Sequence, residues 1–377
     1  MKTRFAKPGE YSLKEVKRIP TDISDKVIYV AELTPEGFIL LSGDKRHPMV
    51  LAFSEDGSMN IEDFKDMAPA ARAWLEEQIG WFNILESDTS YQAKHDYQGQ
   101  WYTYLSDEFP DTKVGQRLPD PQNCDLYYDH HETSIYDQVV LSTKWGQDLP
   151  YNLLVPYSRN GRNAYTGCVA TAMAQIMKHW EAPDTYNQYT FSWDIMHDDY
   201  SYDDTSPGAY EVAELMMVIG LETHMDYSSH FPQASTTIRR AKRAFRHMGY
   251  DDARIEDFSF VKVENEIRNS RPVLIGGMTN ASNNGDVYNG SVGHAWVCDG
   301  YRVDYDVYKR VCPYWEGDNV SYVSRNEQRY YHFNLGWRGS CNGWYISGIY
   351  NVFPDWSNNN CENPYRYDKK LIVNIHP

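Results

Sequence analysis

Four residues spread along this chain have the types and settings that acyl transfer through a thiol requires. Cys168 lies in GRNAYTGCVATAMAQIMKHW, residues 161–180, after a small-residue turn and ahead of apolar side chains at Met173, Ile176, Met177 and Trp180. That three-and-four spacing predicts an amphipathic helix with one buried stripe, and it puts the thiol on the first turn. There the positive end of the helix dipole and spare backbone N–H groups favour thiolate over thiol. Gly167 lets a substrate, or the chain itself, come close. An isolated cysteine is more often a small buried hydrophobe, so the chemical reading depends on the company it keeps.

A thiolate nucleophile needs a base, donors for the oxyanion and a group that fixes the tautomer of the base. Of the 12 histidines, His294 stands out: behind it runs the glycine-rich stretch GGMTNASNNGDVYNGSVG, ending at Gly293, and ahead of it the strand-like HAWVCDGY. A rigid element therefore holds it while a loop borders it. For the orienting group, Asn334 sits in YYHFNLGWRGSCNGWY beside Leu335, Gly336 and Trp337. Its side-chain oxygen suits an imidazole N–H, and a neighbouring indole can keep water away. For the oxyanion, the amide of Gln147, just before Pro150 and Tyr151, can join the Cys168 backbone N–H. Taken singly, such a histidine is usually structural and such an asparagine usually serves its turn.

The elements that must carry these residues follow from periodicity. Residues 1–26 read as a polar extended arm, and Val27–Phe53 as short strands and hairpins, punctuated by TPEG and SEDGS. A helix then opens near Pro69, with Ala71, Trp74, Leu75, Ile79 and Phe82 on one side. Residues 86–135 lack a clear period and read as a long irregular connection. Helices are expected over Ala209–Ile219, from a Ser235 cap to Gly249, and over Val263–Asn269. Strands dominate afterwards: PVLIGGM, HAWVCDGYRV, RYYHFNLGW, GWYISGIY and KLIVNIHP. Helices followed by strands imply an α+β fold of two packed subdomains, with chemistry between them.

Composition excludes other classes. A net charge of −17 over 377 residues argues against nucleic acid or an anionic membrane as main partner. No apolar run is long enough to span a bilayer. The first residues, MKTRFAKPGEYSLKEVKRIP, lack the apolar segment of a signal peptide, which leaves a cytoplasmic protein or one given without its signal. The six cysteines form no CxxC pair, so a structural zinc is not expected. Cys298 and Cys312, 14 residues apart across what reads as a strand pair, are candidates to bridge; free buried thiols are the equal alternative. The acidic run DDYSYDD misses the EF-hand spacing and reads as a solvated loop, and His130 and His131 read as part of a hydrated linker. Nothing calls for a cofactor or a metal.

Gln147, Cys168, His294 and Asn334, in that order, resemble the papain-like arrangement, and the wording around them resembles the streptopain family of bacterial cysteine proteases. The matching phrases are WGQDLPYNLLVP, TGCVATAMAQIMKHW, MDYSS, RPVLIGG, GHAWVCDGY, HFNLGW and VNIHP; GFILLSGDKRHPMVLAFSEDGS resembles the inhibitory pro-domain of that family. The resemblance implies a papain-like catalytic domain over 136–377, with a helical and an antiparallel β subdomain. It implies a hairpin-rich α+β pro-domain with its linker over 1–135, removed by a cut near residues 125–140, and a secreted or cell-surface product. It implies a Cys168 thiolate and His294 imidazolium as the catalytic pair, Gln147 in the oxyanion hole and Asn334 orienting the imidazole, with Trp337, Leu335 and Gly293 in support. Peptide or protein substrates, preferred through apolar side chains, and the chain's own pro-domain are then the partners. Family members carry Trp directly after the Asn, where this chain has Leu335, so lowered activity or an altered His294 position is expected. Two other readings use the same residues: a catalytically weak binding protein, and a different Cys/His acyl-transfer enzyme such as an amidase or a transglutaminase-like protein. In an uncut chain the pro-domain is expected to fill the cleft or to displace the His294 loop.

Overall fold

A computed structural model describes residues 11–19, 28–44, 47–61, 67–68, 70–72, 74–76, 78–79, 101, 118–119, 124–136, 141–278, 293–312, 319–346 and 367–377. Phe82 and residues 279–292 of the glycine-rich stretch lie outside these residues. The N-terminal region is an antiparallel meander of β1 (Ser12–Arg18), β2 (Ile28–Thr34), β3 (Phe38–Ser42) and β4 (Val50–Ser54). Residues expected to form an arm therefore supply β1, an edge strand. Helical residues within 70–79 bury Ala71, Trp74 and Leu75.

Besides short strand pairs and a 3-10 turn, the elements that follow are β5 (Asp125–Tyr136), α1 (Cys168–Trp180), α2 (Pro207–Glu222), α3 (Ile238–His247), β6 (Arg254–Asp257), α4 (Phe260–Arg268), β7 (Val273–Met278), β8 (Gly293–Cys312), β9 (Asn319–Asn334), β10 (Gly343–Ile346) and β11 (Tyr367–Val373). Local chemistry sets several of their ends. Ser206 caps α2 by accepting the Ala209 N–H at 3.3 Å, and Pro207 fills the first helical position. Thr237, not Ser235, caps α3, because Ser235 is committed to a short strand pair over Gln233–Ser235.

One sheet unites the molecule, in the order β1-β2-β3-β4-β10-β9-β8-β7-β11-β6. The N-terminal meander joins it edge to edge through Phe53 opposite Trp344 and Ala52 opposite Tyr345. β5 lies along the second half of β8, from Tyr136 opposite Tyr301 to Asp125 opposite Val311. The irregular connection expected there is thus a strand at its end; its sequence, DLYYDHHETSIY, shows no alternation of apolar and polar residues. The disulfide joins Cys124 to Cys312, with an S–S distance of 2.02 Å, and Cys298 is a buried free thiol. Cys298 and Cys312 cannot bridge because they lie on the same strand, separated by roughly 45 Å at ~3.3 Å per residue.

Strand alternation sorts the interior into two cores. Ala295 and Val297 of β8 face a core built from α1, α2 and α3, whereas Trp296 and Cys298 face a second core shared with the N-terminal region. Ala71, Trp74, Leu75 and the strands β2–β4 belong to that second core together with Phe333, Leu335 and Tyr345. Ring contacts cross the junction: Phe53 stacks on Trp344 at 6.2 Å, and Trp74 meets Tyr345 edge-on at 4.9 Å. One face of the sheet is therefore covered by α1, α2 and α3, and the other by α4 together with the helical residues Ala71, Trp74 and Leu75.

Candidate active site

Cys168 opens α1, as the periodicity predicts. The turn before it favours glycine through its backbone: Gly167 has φ of 89°, and the flexible thioether end of Met225 packs 2.9 Å from where a Cβ would stand. The Cys168 residue keeps partial exposure to a cleft, but its sulfur is ringed by protein atoms, and that packing pushes the thiol up. Backbone N–H groups of Ala295, Val169 and Cys168 itself pull the other way without winning. In this state desolvation outweighs the helix dipole, and the thiolate expected from position alone is not favoured.

His294 is the second residue of β8, opposite Gly277 of β7, and next to the Gly293 that pairs with Met278. Its imidazole lies nearly parallel to Trp296, two residues along the same strand face, at 6.1 Å. It bonds to the backbone carbonyl of Leu335, and burial pushes its pKa down to about 4. Cys168 and His294 share a cleft of about 210 Å³ whose apolar wall includes Val169, Met225, Ile238 and Ile255. Among the described residues no hydrogen bond joins the two. The geometry is that of a neutral thiol and a neutral imidazole facing one cleft, unbonded to each other.

Asn334 ends β9 and is 1 % exposed. Its amide N–H donates to the Thr143 carbonyl at 2.7 Å, and its oxygen accepts from Gln175 Nε2 at 3.1 Å and from the Gly336 N–H at 3.2 Å. The side chain therefore faces Gln175 here and not His294. Gln147 is buried beside the start of α1, with its carbonyl accepting the Thr166 N–H at 3.0 Å, though its side chain does not line the cleft. Leu335 is 2 % exposed in a gap of about 10 Å³ formed with Ala70, Ala71, Trp74, Trp296, Phe333 and Tyr345. Trp337 is half-buried and meets Tyr165 edge-on at 6.4 Å.

Gln175 was not singled out by its sequence setting, yet it binds three of these segments together. Two turns below Cys168 on the same helix face, its oxygen accepts from the Thr143 hydroxyl at 3.1 Å and the Trp145 N–H at 3.3 Å, while its amide reaches Asn334. The sequence offers one signal for it, a glutamine seven residues after Cys168 and so on the same helix face; its full burial is decided by the packing.

The profile of the Peptidase C10 family matches residues 145–345, more than half of the chain and all four candidate residues. The chain belongs to the Peptidase C10 family. A second profile, Spi protease inhibitor, matches residues 6–78 of this C10 peptidase, the region of the β1–β4 meander. Streptopain of Streptococcus pyogenes is 24% identical over 394 residues, covering 91% of this chain and 80% of streptopain. The thiol protease/hemagglutinin PrtT of Porphyromonas gingivalis is 23% identical over 370 residues, covering 91% of this chain and 36% of that protein. A solved structure of Prevotella intermedia prointerpain A, in a cysteine-to-alanine mutant, superposes with a TM-score of 0.60 at 20% identity, covering 96% of this chain and 99% of that one. The fold is accordingly papain-like, with an N-terminal hairpin-rich domain, and the C10 peptidase is a cysteine-type peptidase built as a zymogen.

Proposed function

We propose that Cys168 and His294 form the catalytic pair of a secreted or cell-surface cysteine endopeptidase, latent until its N-terminal region is cut away. The observation that carries this reading is their convergence on one cleft from separate elements, α1 and β8, while the Leu335 carbonyl engages the imidazole. Leu335 packs beneath Ala70, Ala71 and Trp74, so the N-terminal region stabilises the strand end to which His294 is bonded. This supports displacement of the histidine as the basis of latency. With that region gone, the imidazole turns to the thiol, and Cys168 attacks a peptide carbonyl as the thiolate. His294, as imidazolium, protonates the leaving amine, and water then hydrolyses the thioester. The Cys168 N–H and the Gln147 amide would hold the oxyanion, each such donor contributing roughly 3 kcal/mol to the transition state. Asn334 would orient the imidazole, with Gly293, Leu335 and Trp337 around it.

We place the domain boundary at 135–136 and the cut just beyond it. Residues 125–136 are laddered to β8, and a paired strand cannot enter another protease cleft, which favours 137–140 within the expected window. Peptide or protein chains are the substrates, and no described helix is long and apolar enough to cross a membrane. The test is an activation time course under reducing conditions, wild type beside Cys168→Ala, read by gel, intact mass and casein hydrolysis. Wild type should shed about the first 135 residues and gain activity while the variant stays whole. Hydrolysis by the Cys168→Ala protein, or an inert wild type whose trimmed form resists a thiol-directed peptidyl probe, would refute the assignment.

A further inference from the structure

The outer face of α3 carries cations without counterions in a chain whose carboxylates greatly outnumber its bases. Ala241, Ala244 and Phe245 turn into the core, and Ile238 with Arg239 lines the Cys168 cleft. From Arg239, the spacing i, i+3, i+4, i+7 brings Lys242, Arg243 and Arg246 onto one stripe running away from the cleft mouth. Arg246 is engaged by the carbonyl of Asp251 at 2.7 Å. Among the described residues Arg239, Lys242 and Arg243 meet no carboxylate, although the chain holds 53 Asp and Glu against 36 Lys and Arg. Across the cleft, Lys370 is already paired with Asp257 at 2.5 Å. The arrangement costs helix stability: like charges three and four apart repel, and Arg239 in the first turn opposes the helix dipole. Folding does not need it.

Resting on the peptidase reading above, we propose that this stripe selects the substrate: a polypeptide whose apolar side chain seats in the cleft and whose flanking residues, lying along α3, are acidic. The spacing fits alternate acids. Neighbours three or four apart on a helix stand ~5–6 Å from each other, and alternate residues of an extended chain stand ~6.6 Å apart on one side. A Glu-Xaa-Glu segment can therefore address Arg239 and Arg243 together. The pairs are exposed, so each should contribute about two- to five-fold in kcat/KM and fade above ~0.5 M salt.

The experiment uses the full chain after activation and quenched peptides with one apolar core, carrying Glu-Xaa-Glu or Gln-Xaa-Gln on either side of the cleavable bond. The Glu peptide of one flank should be cut about five- to twenty-fold faster at 50 mM salt. Arg239→Gln/Arg243→Gln should bring the Glu/Gln rate ratio to one, whatever the common rate becomes, and Arg239→Glu/Arg243→Glu should transfer the preference to a Lys-Xaa-Lys peptide. Equal rates for Glu and Gln peptides, with Cys168-dependent cleavage of both, would overturn this inference and leave the peptidase reading standing. A preference that survives the charge reversal would equally overturn it. If no peptide is cut in a Cys168-dependent way, both readings fall together.

Discussion

Acid should loosen the latch through His294. In the uncut chain its pKa is about 4, against an ordinary 6.5, because the buried site disfavours the charged ring. A histidine depressed in the folded state costs nothing above pH 6.5 and destabilises that state progressively as the pH falls toward 4. Taking 6.5 for the released ring, moving from pH 7 to pH 5 removes about 2 kcal/mol from the latched form, or a ~20-fold shift toward release. His47 of the N-terminal region, also buried and also near 4, pushes in the same direction when that region opens. The assay is hydrogen exchange at β4 and β10, on the uncleavable Cys168→Ala chain between pH 7 and pH 5, beside the same chain carrying His294→Gln. Protection across the Phe53–Trp344 junction should fall about 20-fold more in the parent than in the His294→Gln variant. Equal pH dependence in the two would refute the reasoning, since the titrating ring would then not be His294.

Three further outcomes follow from the packing. Leu335→Trp forces an indole into a gap of about 10 Å³ beneath Ala70 and Ala71, which should cost the latched form about 1–3 kcal/mol and shorten the activation half-time about 5- to 100-fold; an unchanged half-time would clear that contact of any part in latency. Gln175→Leu strips partners from Trp145 N–H and Asn334, so the urea midpoint should drop by the equivalent of about 2 kcal/mol or more, and an unaltered midpoint would show those hydrogen bonds to be dispensable. The Cys124–Cys312 disulfide straddles the proposed cut, so a chain cleaved once within 137–140 should run as one species without reductant and as two with it, whereas Cys124→Ser should separate in both lanes.

Short-range patterns in the sequence determined a good part of this protein. The spacing from Cys168 to Trp180 demanded a helix with a thiol at its start, and PVLIGGM, HAWVCDGY and RYYHFN demanded strands, because side-chain periodicity depends on near neighbours alone. Motif wording carried the family. Only tertiary structure decided what those residues experience. Burial set the Cys168 thiol against its own helix dipole, the Leu335 carbonyl took the His294 ring, and Asn334 turned to Gln175. Cys312 found Cys124 at a separation of 188 residues, and the inconspicuous run 125–136 became a strand because β8 offered it an open edge. Desolvation, partner choice and edge pairing arise between segments far apart in the chain, and no local pattern encodes which segments will meet.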